Sequence, residues 1–372
     1  MNKDFKIIKN RFNEKAAYNN FNSKNKLNNI VGGKIMRVNY NTRPLEVACD
    51  IGNGFAKISY SIDEGRTITS MYIESNVTVN ADDSSSNVTV INGINHDFNT
   101  TDRVIDKVVR IKNTDEHRGL LWKSLSEVFK KTNHNRFKVV FGCSVDSWNR
   151  DKGEYEKAKM TEFTNINYVE NDKSYDLEIV DLKVQPECVL APYSFSVSTL
   201  EMLKETNFIL FDIGNLNLGY CRYLKNLRRD SNFNATTDGV DEMLQNCCDY
   251  INKNDLTLRH PLTKDGLRAY LMNEDRYEDN RFKNREKLIQ EYINSYIDSV
   301  MSNAMRYYKD LTSDYKVVVI GGGAKAFERF LQKAINKVSD MDGFNFEYLP
   351  IDEDLIFCNS KAFYKRSKKL FS

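Results

Sequence analysis

The stretch FILFDIGN, residues 208–215, places an apolar run directly before an aspartate and a glycine turn. A second stretch, VACDIGNG at residues 47–54, has the same order and shares the four residues Asp-Ile-Gly-Asn with it. Each copy predicts a short buried strand that ends in a glycine turn. Because both copies follow an apolar strand, the repeat indicates a weak internal duplication.

A third pattern of this kind, VVVIGGGA, occupies residues 317–324. Glycine has no Cβ, so backbone N–H groups at such turns can approach phosphate oxygens closely. The three turns together are candidate nucleotide loops, although a single one is more often an ordinary turn. The P-loop pattern Gly-x4-Gly-Lys-Ser/Thr and the dinucleotide pattern Gly-x-Gly-x-x-Gly are both absent from the sequence, which argues against those two kinds of site.

Each of the first two turns begins at an aspartate, Asp50 or Asp212. Mg2+ is usually held through one or two carboxylates together with substrate phosphates and water. If the two halves of the chain face each other, both carboxylates lie beside one cleft, where a metal ion would neutralise the β- and γ-phosphates. The alternative role of either aspartate is to cap the turn that follows it.

Composition is that of a globular protein, with 41% apolar and 28% charged residues in a chain of 372, long enough for two domains. No apolar run approaches the roughly 20 residues of a membrane span. The N-terminus is basic but lacks the apolar core of a secretory signal, so we expect a cytoplasmic protein. Seven cysteines without a Cys-x-x-Cys pair, and only four histidines, argue against zinc and against a disulfide framework.

Residues 1–43 differ from the rest of the chain in composition. They include ten Lys/Arg against two Asp/Glu, and eleven asparagines. Such a segment buries too little apolar surface to offset its ordering entropy, which predicts a flexible basic extension. Its role is open between a tail without a partner and a contact with a neighbouring subunit or an acidic partner.

From residue 45 onward the pattern alternates between strands and helices. Alternating or continuous apolar runs bounded by turn residues predict strands at 45–49, 55–61, 67–73, 88–91, 137–142, 175–184, 208–211, 216–224 and 316–320. Apolar residues at helical spacing predict helices at 115–131, 148–160, 283–310, 325–338 and 354–369. The helix at 283–310 has the clearest apolar stripe, which is typical of core packing. The predicted class is α/β.

Five short motifs stand in a definite order along the chain: DIGNG at 50–54, QPE at 185–187, DIGN at 212–215, DG-x-D at 238–241 and GGGA at 321–324. This order resembles the ATPase superfamily of actins, sugar kinases and heat-shock chaperones, and within it the ParM-type bacterial actins of plasmid segregation. The resemblance implies an actin-like (ribonuclease H-like) fold of duplicated α/β domains with a nucleotide cleft between them. It implies domain I at 44–186 with a small subdomain inserted at about 64–135, domain II at 187–353, and a helix at 354–372 that returns to domain I.

The resemblance also implies a role for each motif. The matching residues are Asp50, Gly52, Asn53, Gly54 and Lys57 for the first phosphate loop and its lysine; Asp212, Gly214, Asn215 and Asn217 for the second phosphate loop; Gly239 and Asp241 for the ribose-side loop; and Gly321, Gly322, Gly323 and Ala324 for the adenosine motif. Asp50 and Asp212 would hold Mg2+, through water.

Glu187 matches the family's water-orienting Glu or Gln, and with Asp50 and Asp212 it completes the implied catalytic set. Its alternative role is to complement a helix dipole after Pro186. The second phosphate loop departs from the family pattern, because Leu216, Asn217 and Gly219 stand where a hydroxyl residue and a later aspartate are usual. Phosphate binding there would rest on backbone N–H groups and the Asn217 amide.

The function that the resemblance implies is an ATPase that polymerises into filaments on binding Mg-ATP (or GTP) and depolymerises after hydrolysis to ADP (or GDP). Its partners would be itself, in a head-to-tail filament, and a DNA-binding adaptor on plasmid centromeric DNA. A head-to-tail contact that does not close gives an open helix. The sequence has no DNA-reading motif of its own and no expected membrane contact. The alternative is a sugar or acid kinase of the same fold, for which no catalytic-base aspartate is identifiable.

Overall fold

The computed structural model describes residues 29–31, 34–36, 43–81, 88–98, 112–272, 280–308, 311, 315–342 and 346–372. The chain divides into two compact units, Met1–Tyr40 and Asn41–Ser372. In the first unit, β1 (Asn29–Val31) pairs antiparallel with β2 (Lys34–Met36). Most of residues 1–43 lie outside the described residues, so the flexibility predicted for them stays a prediction.

The larger sheet of the second unit contains nine described strands. In chain order they are β3 (Leu45–Ile51), β4 (Phe55–Tyr60), β5 (Thr69–Glu74), β6 (Thr78–Val79), β7 (Val88–Ile91), β8 (Ile94–Asp97), β9 (Arg136–Cys143), β10 (Asn165–Glu170) and β11 (Lys173–Pro186). Their order in space is β5-β4-β3-β9-β11-β10-β7-β8-β6. Strands β3, β9 and β11 run parallel. Their carboxyl ends therefore share one edge, which brings Asp50 and the residue after β11, Glu187, to the same side of the sheet.

The smaller sheet contains five described strands. They are β12 (Asn207–Ile213), β13 (Leu218–Leu224), β14 (Arg228–Thr236), β15 (Tyr315–Ile320) and β16 (Phe346–Tyr348), in the spatial order β14-β13-β12-β15-β16. Strands β12 and β15 are parallel, with Asp212 opposite Ile320. The second aspartate and the start of the triple glycine consequently lie next to each other.

Ten α-helices occur among the described residues. They are α1 (Asp115–Thr132), α2 (Val145–Asp151), α3 (Glu154–Met160), α4 (Val197–Lys204), α5 (Val240–Asn254), α6 (Lys264–Leu271), α7 (Asn280–Lys283), α8 (Glu286–Tyr307), α9 (Gly321–Asp342) and α10 (Cys358–Leu370). None of those within the described ranges is long and apolar enough to cross a bilayer.

The central strand β12, which pairs antiparallel with β13 and parallel with β15, is buried on both faces. Ile209, Phe211 and Ile213 pack into a core with helices α5, α8 and α9, whereas Phe208 and Leu210 pack into a second core on the other face. The apolar stripe of α8 lies in the first of these cores, as its periodicity predicts.

The two Asp-Ile-Gly-Asn copies have the same local topology. Each lies at the turn of an antiparallel hairpin, β3–β4 or β12–β13. The first strand of each hairpin also pairs in parallel with a later strand, β9 or β15. The sequence repeat therefore corresponds to a repeated structural unit, one in each sheet.

Four predicted helices differ from the structure by more than a residue in their bounds. The helix predicted at 283–310 spans Glu286–Tyr307, and the helix predicted at 354–369 spans Cys358–Leu370. The helix predicted at 148–160 is two helices, because Lys152 adopts a left-handed conformation (φ 61°) and Gly153 follows with φ 77°. The helix predicted to begin at residue 325 begins at Gly321, so the three glycines form its first turn. Glycine's low helix propensity concealed that start.

Candidate nucleotide site

A cleft opens where the carboxyl ends of β3, β11, β12 and β15 come together. It encloses about 1060 Å³ of empty space, part of it open to solvent. Twelve residues that the motifs single out line it: Asp50, Gly52, Asn53, Gly54, Lys57, Glu187, Asp212, Gly214, Asn215, Asn217, Gly322 and Gly323. The other four, Gly239, Asp241, Gly321 and Ala324, lie behind this lining. A crevice at the carboxyl ends of strands is where α/β folds commonly bind ligands.

The first and second glycine turns both line the cleft and come close to each other. A Cβ atom placed on Gly54 would lie 3.4 Å from the Cβ of Asn215. Both turns are closed by backbone hydrogen bonds: Gly52 N–H donates to the Phe55 carbonyl over 3.1 Å, and Gly214 N–H donates to the Asn217 carbonyl over 2.9 Å. The two turns thus belong to one site.

Two lysines, the half-buried Lys57 and the buried Lys112, neutralise Asp50. Lys57 Nζ lies 3.1 Å from one carboxylate oxygen, and Lys112 Nζ lies 3.3 Å from the other. Burial alone would raise the pKa of Asp50, but the two ammonium groups outweigh it and hold that pKa well below its usual range. Asp50 is therefore ionised at any physiological pH.

Lys112 also forms an ion pair with Glu187. Burial and the neighbouring Asp50 charge raise the pKa of Glu187 well above its ordinary value, against the opposing effect of Lys112. Burial favours the neutral form of Lys112, yet the two carboxylates raise its pKa. One ammonium group therefore serves two buried carboxylates.

Asp212 has a different environment. Its hydrogen-bond partner is neutral, since Asn359 Nδ2 donates to Asp212 Oδ2 over 2.7 Å. Within the described part of the chain, no lysine or arginine forms an ion pair with it. Burial, and then the charge of Asp50, raise the pKa of Asp212 to about 6. It is the carboxylate in this cleft that a bound cation would stabilise most, so the residues present fit a Mg2+ ion held beside phosphate groups.

The three glycines at the start of α9 differ in their surroundings. Gly321 has φ +96°, and a Cβ there would lie 2.6 Å from Asp212 Oδ1. A Cβ on Gly323 would lie 2.3 Å from a side-chain carbon of Ile213. A Cβ on Gly322, in contrast, would meet nothing within 4 Å. Gly321 and Gly323 permit close packing, whereas Gly322 leaves room in the cleft.

Gly239 and Asp241 support the second glycine turn from behind. A Cβ on Gly239 would lie 2.3 Å from the Asn215 carbonyl oxygen, and Asp241 N–H donates to that oxygen over 2.9 Å. The Asp241 carboxylate is buried and pairs with Lys264 (2.9 Å) and Arg268 (3.2 Å). Ala324, in the first turn of α9, is fully buried in the hydrophobic core.

Among the lining residues that the motif analysis missed, Lys112, Arg268 and Asn359 have side chains that contact those of Asp50, Asn215 and Asp212 respectively. Arg268 donates to Asn215 Oδ1 over 2.8 Å and so holds a residue of the second phosphate loop. None of the three stands in a recognisable motif. The only local signal is the spacing of Arg268 and Asp265, an i, i+3 ion pair on α6.

The cleft has one polar and one apolar part. Val240, Leu244, Met272 and Ala326 contribute apolar surface, while the glycine turns and buried charges supply the polar part. In the first turn, Asn53 Oδ1 is buried and has no hydrogen-bond partner within the described residues. A buried polar atom of this kind is costly unless it is paired, so it points to a ligand or a bound water.

No protein-family model matches the sequence, and no curated protein sequence matches it. Solved structures match at the level of the fold. The actin-like protein Alp7A superposes with a TM-score of 0.64 at 13% identity, over 88% of this chain and 97% of that one. An apo ParM protein, psk41 ParM, gives 0.55 at 14% identity over 89% and 98%. An AlfA filament bound to AMPPNP gives 0.55 at 16% identity over 88% and 100%.

The chain therefore has an actin-like fold, as its motifs predict. Within that class, the fold is of the type seen in ParM, AlfA and Alp7A.

Proposed function

We propose that this chain binds Mg-ATP (or Mg-GTP) in its cleft, assembles into filaments in that state, and disassembles after hydrolysis. The observation that carries the proposal is the convergence of three strand-end glycine turns with Asp50, Glu187 and Asp212 around one cleft. The AlfA structure, which is a filament bound to AMPPNP, supports both nucleotide binding and self-association.

Charge and shape suggest how the nucleotide lies. The triphosphate would occupy the polar part of the cleft, near the Lys57 and Lys112 ammonium groups. The base would contact the apolar part around Leu244 and Met272. Gly239 and Asp241 would act on the ribose side indirectly, through the second phosphate loop that they support.

Hydrolysis would depend on positioning more than on covalent help, because phosphoryl transfer has a loose transition state. A bound Mg2+ ion would neutralise charge on the β- and γ-phosphates. Asp212 would hold that ion through water, whereas both oxygens of Asp50 are already paired with Lys57 and Lys112. Glu187 would accept a hydrogen bond from the attacking water and keep it in line with the γ-phosphate, and the ion pair with Lys112 would hold its carboxyl group in place.

The biological role that fits best is segregation of plasmid DNA in the cytoplasm. Filament growth would move an adaptor protein bound to centromeric DNA, since the chain itself has no DNA-reading motif. Head-to-tail addition of subunits would build the filament, and hydrolysis would weaken the contact between them.

Sedimentation, light scattering and negative-stain electron microscopy test this proposal. Protein with Mg-AMPPNP should form stable polymer above a critical concentration, and protein with Mg-ATP should form polymer that decays as phosphate is released. Glu187→Ala should assemble normally but release phosphate much more slowly. The matched control is the same samples with EDTA, which removes Mg2+. The contrary outcome is no nucleotide-dependent assembly at several micromolar protein, with ADP formed only when a sugar or acid acceptor is present. That result would instead establish a kinase of the same fold.

A further inference from the structure

Asn359 lies at the second position of α10 and is 5% exposed. It lines the cleft, although it is 147 residues from Asp212 and 171 from Cys188 in the sequence. The sequence around it has no motif, and none of the roles described above uses its side chain. Its amide nevertheless contacts the backbone next to Glu187 and the carboxylate of Asp212.

Both ends of the Asn359 amide are engaged. Nδ2 donates to Asp212 Oδ2 over 2.7 Å, and Oδ1 accepts from the Cys188 backbone N–H over 3.0 Å. A flipped amide would place an oxygen against the carboxylate and an NH2 group against the N–H, so only one orientation satisfies both partners. The hydrogen-bond network thus fixes the amide in a single orientation.

The backbone that Asn359 contacts is the segment that carries Glu187. Cys188 directly follows Glu187 and has φ 64°, a left-handed conformation that non-glycine residues adopt only when their surroundings hold them there. The bond from Cys188 N–H to Asn359 is one such contact. It stabilises the local backbone that directs the Glu187 side chain into the cleft.

Helix α10 is itself anchored on the larger sheet. Phe363 packs so closely on β9 that a Cβ on Gly142 would lie 2.7 Å from its ring and 3.5 Å from Glu187 Cγ. Ser360 forms a buried 2.9 Å hydrogen bond with Ser59 on β4. Asn359 therefore extends from a rigidly packed helix rather than from a loop.

The neutral character of Asn359 matters for Asp212. A lysine at this position would neutralise the carboxylate and compete with a metal ion, as Lys57 and Lys112 do at Asp50. An amide orients the carboxylate without cancelling its charge, and it occupies only Oδ2. Oδ1 and the negative charge remain for a cation.

We infer that Asn359 is a positioning residue for the proposed hydrolysis: it holds the Asp212 carboxylate and the backbone of Glu187 in one fixed arrangement. This inference rests on the proposed function. Residues that orient a metal-binding group through a hydrogen bond typically contribute 10- to 100-fold to metal affinity or activity. Asn359 therefore acts through Asp212 and Glu187 and has no nucleotide contact of its own.

The test is steady-state phosphate release by Asn359→Ala and Asn359→Ser as a function of ATP and of free Mg2+, well below the melting temperature. We expect kcat to fall about 10- to 100-fold and the Mg2+ concentration for half-maximal rate to rise. We expect ADP affinity measured in EDTA to change by less than about threefold, because no base or phosphate contact is lost. Asn359→Ser, whose hydroxyl can serve one of the two partners, should lie between wild type and Asn359→Ala.

Ser360→Ala is the matched control, since it removes a buried hydrogen bond from the adjacent position of the same helix but no contact with the cleft. It should lower the melting temperature while leaving kcat and the Mg2+ requirement unchanged. Asn359 variants with wild-type kcat and Mg2+ requirement, or a Ser360→Ala variant with the same losses, would overturn the inference and leave the proposed function standing. Failure of the wild-type protein to hydrolyse nucleotide would overturn both.

Discussion

The Lys112 ammonium group donates a 3.3 Å hydrogen bond to Oδ1 of Asp50, a residue 62 positions away in the sequence. The same group pairs with Glu187. A buried ion pair adds little net stability, but removal of one partner leaves an uncompensated charge in the interior. At Lys112 that removal affects two carboxylates at once.

Lys112→Met should therefore destabilise the nucleotide-free protein by about 3–5 kcal/mol, measured by urea unfolding at neutral pH. Adding Glu187→Gln should recover part of this loss, because one of the two buried carboxylates becomes neutral. Lys57→Met is the control: Lys57 pairs with Asp50 but has no ion pair with Glu187 among the described residues, so its coupling to Glu187→Gln should be weaker than that of Lys112→Met. Equal coupling of both lysines to Glu187 would contradict this account.

The raised pKa of Asp212 predicts a pH-dependent stability. Its folded pKa of about 6 exceeds the unfolded value of about 3.9, so the folded state binds more protons between these values. Stability that is fully present below about pH 4 is then lost as the pH rises through about 6. Asp212→Asn removes this loss and can still accept a hydrogen bond from Asn359.

Without metal and nucleotide, Asp212→Asn should match wild type near pH 4 and exceed it above pH 7, by on the order of 3 kcal/mol at 1.36 kcal/mol per pKa unit. Urea unfolding of both proteins across this range gives the difference directly. A difference that does not vary with pH would show that Asp212 does not titrate as described.

Substitutions in the triple glycine should distinguish the positions that are needed for packing from the one that is needed for ligand binding. Gly322→Ala should keep or slightly raise the melting temperature, because its Cβ meets nothing within 4 Å and alanine favours a helix. It should nevertheless weaken nucleotide binding. Gly323→Ala should lower stability by about 1–3 kcal/mol, because its Cβ would lie 2.3 Å from Ile213. Thermal unfolding with and without Mg-AMPPNP measures both effects, and the opposite pattern would refute this division.

Arg268 should influence nucleotide affinity through Asn215. Arg268→Lys keeps a charge beside Asp241 but loses the planar fork that reaches both partners. We expect about tenfold weaker nucleotide binding, equivalent to 1.4 kcal/mol, with a small change in stability. Lys264→Met, which removes the other ion pair of Asp241 and has no contact with Asn215 among the described residues, should leave affinity nearly unchanged. Titration with a fluorescent nucleotide compares the two variants; equal losses would argue against a role through Asn215.

The fold was predictable because its strongest signals are local. Short apolar runs followed by glycine identify β3, β12 and β15, and the long apolar stripe identifies α8. Helices α5 and α6 were not predicted. Their apolar positions alternate with many charged and amide residues, and α6 has only eight residues.

The site was predictable only where its residues stand in motifs. Asp50 and Asp212 can be identified from the sequence because each joins a buried strand to a glycine turn. Lys112 and Asn359 acquire their roles only when distant strands and helices come together, and neither position has a composition that marks it. A single sequence does not contain that information in any local window. The domain limits and the residue roles remain predictions, to be tested by the experiments above.

The contact between Asn359 and Asp212 also bears on synthesis of the protein. Asp212 leaves the ribosome 147 residues before Asn359, which at about 5–20 residues per second corresponds to roughly 7 to 30 s. During that interval Ala48 and Val140 lack the cover that Phe363 later provides. A nascent chain therefore exposes an apolar face that chaperones can recognise, and it has no finished cleft.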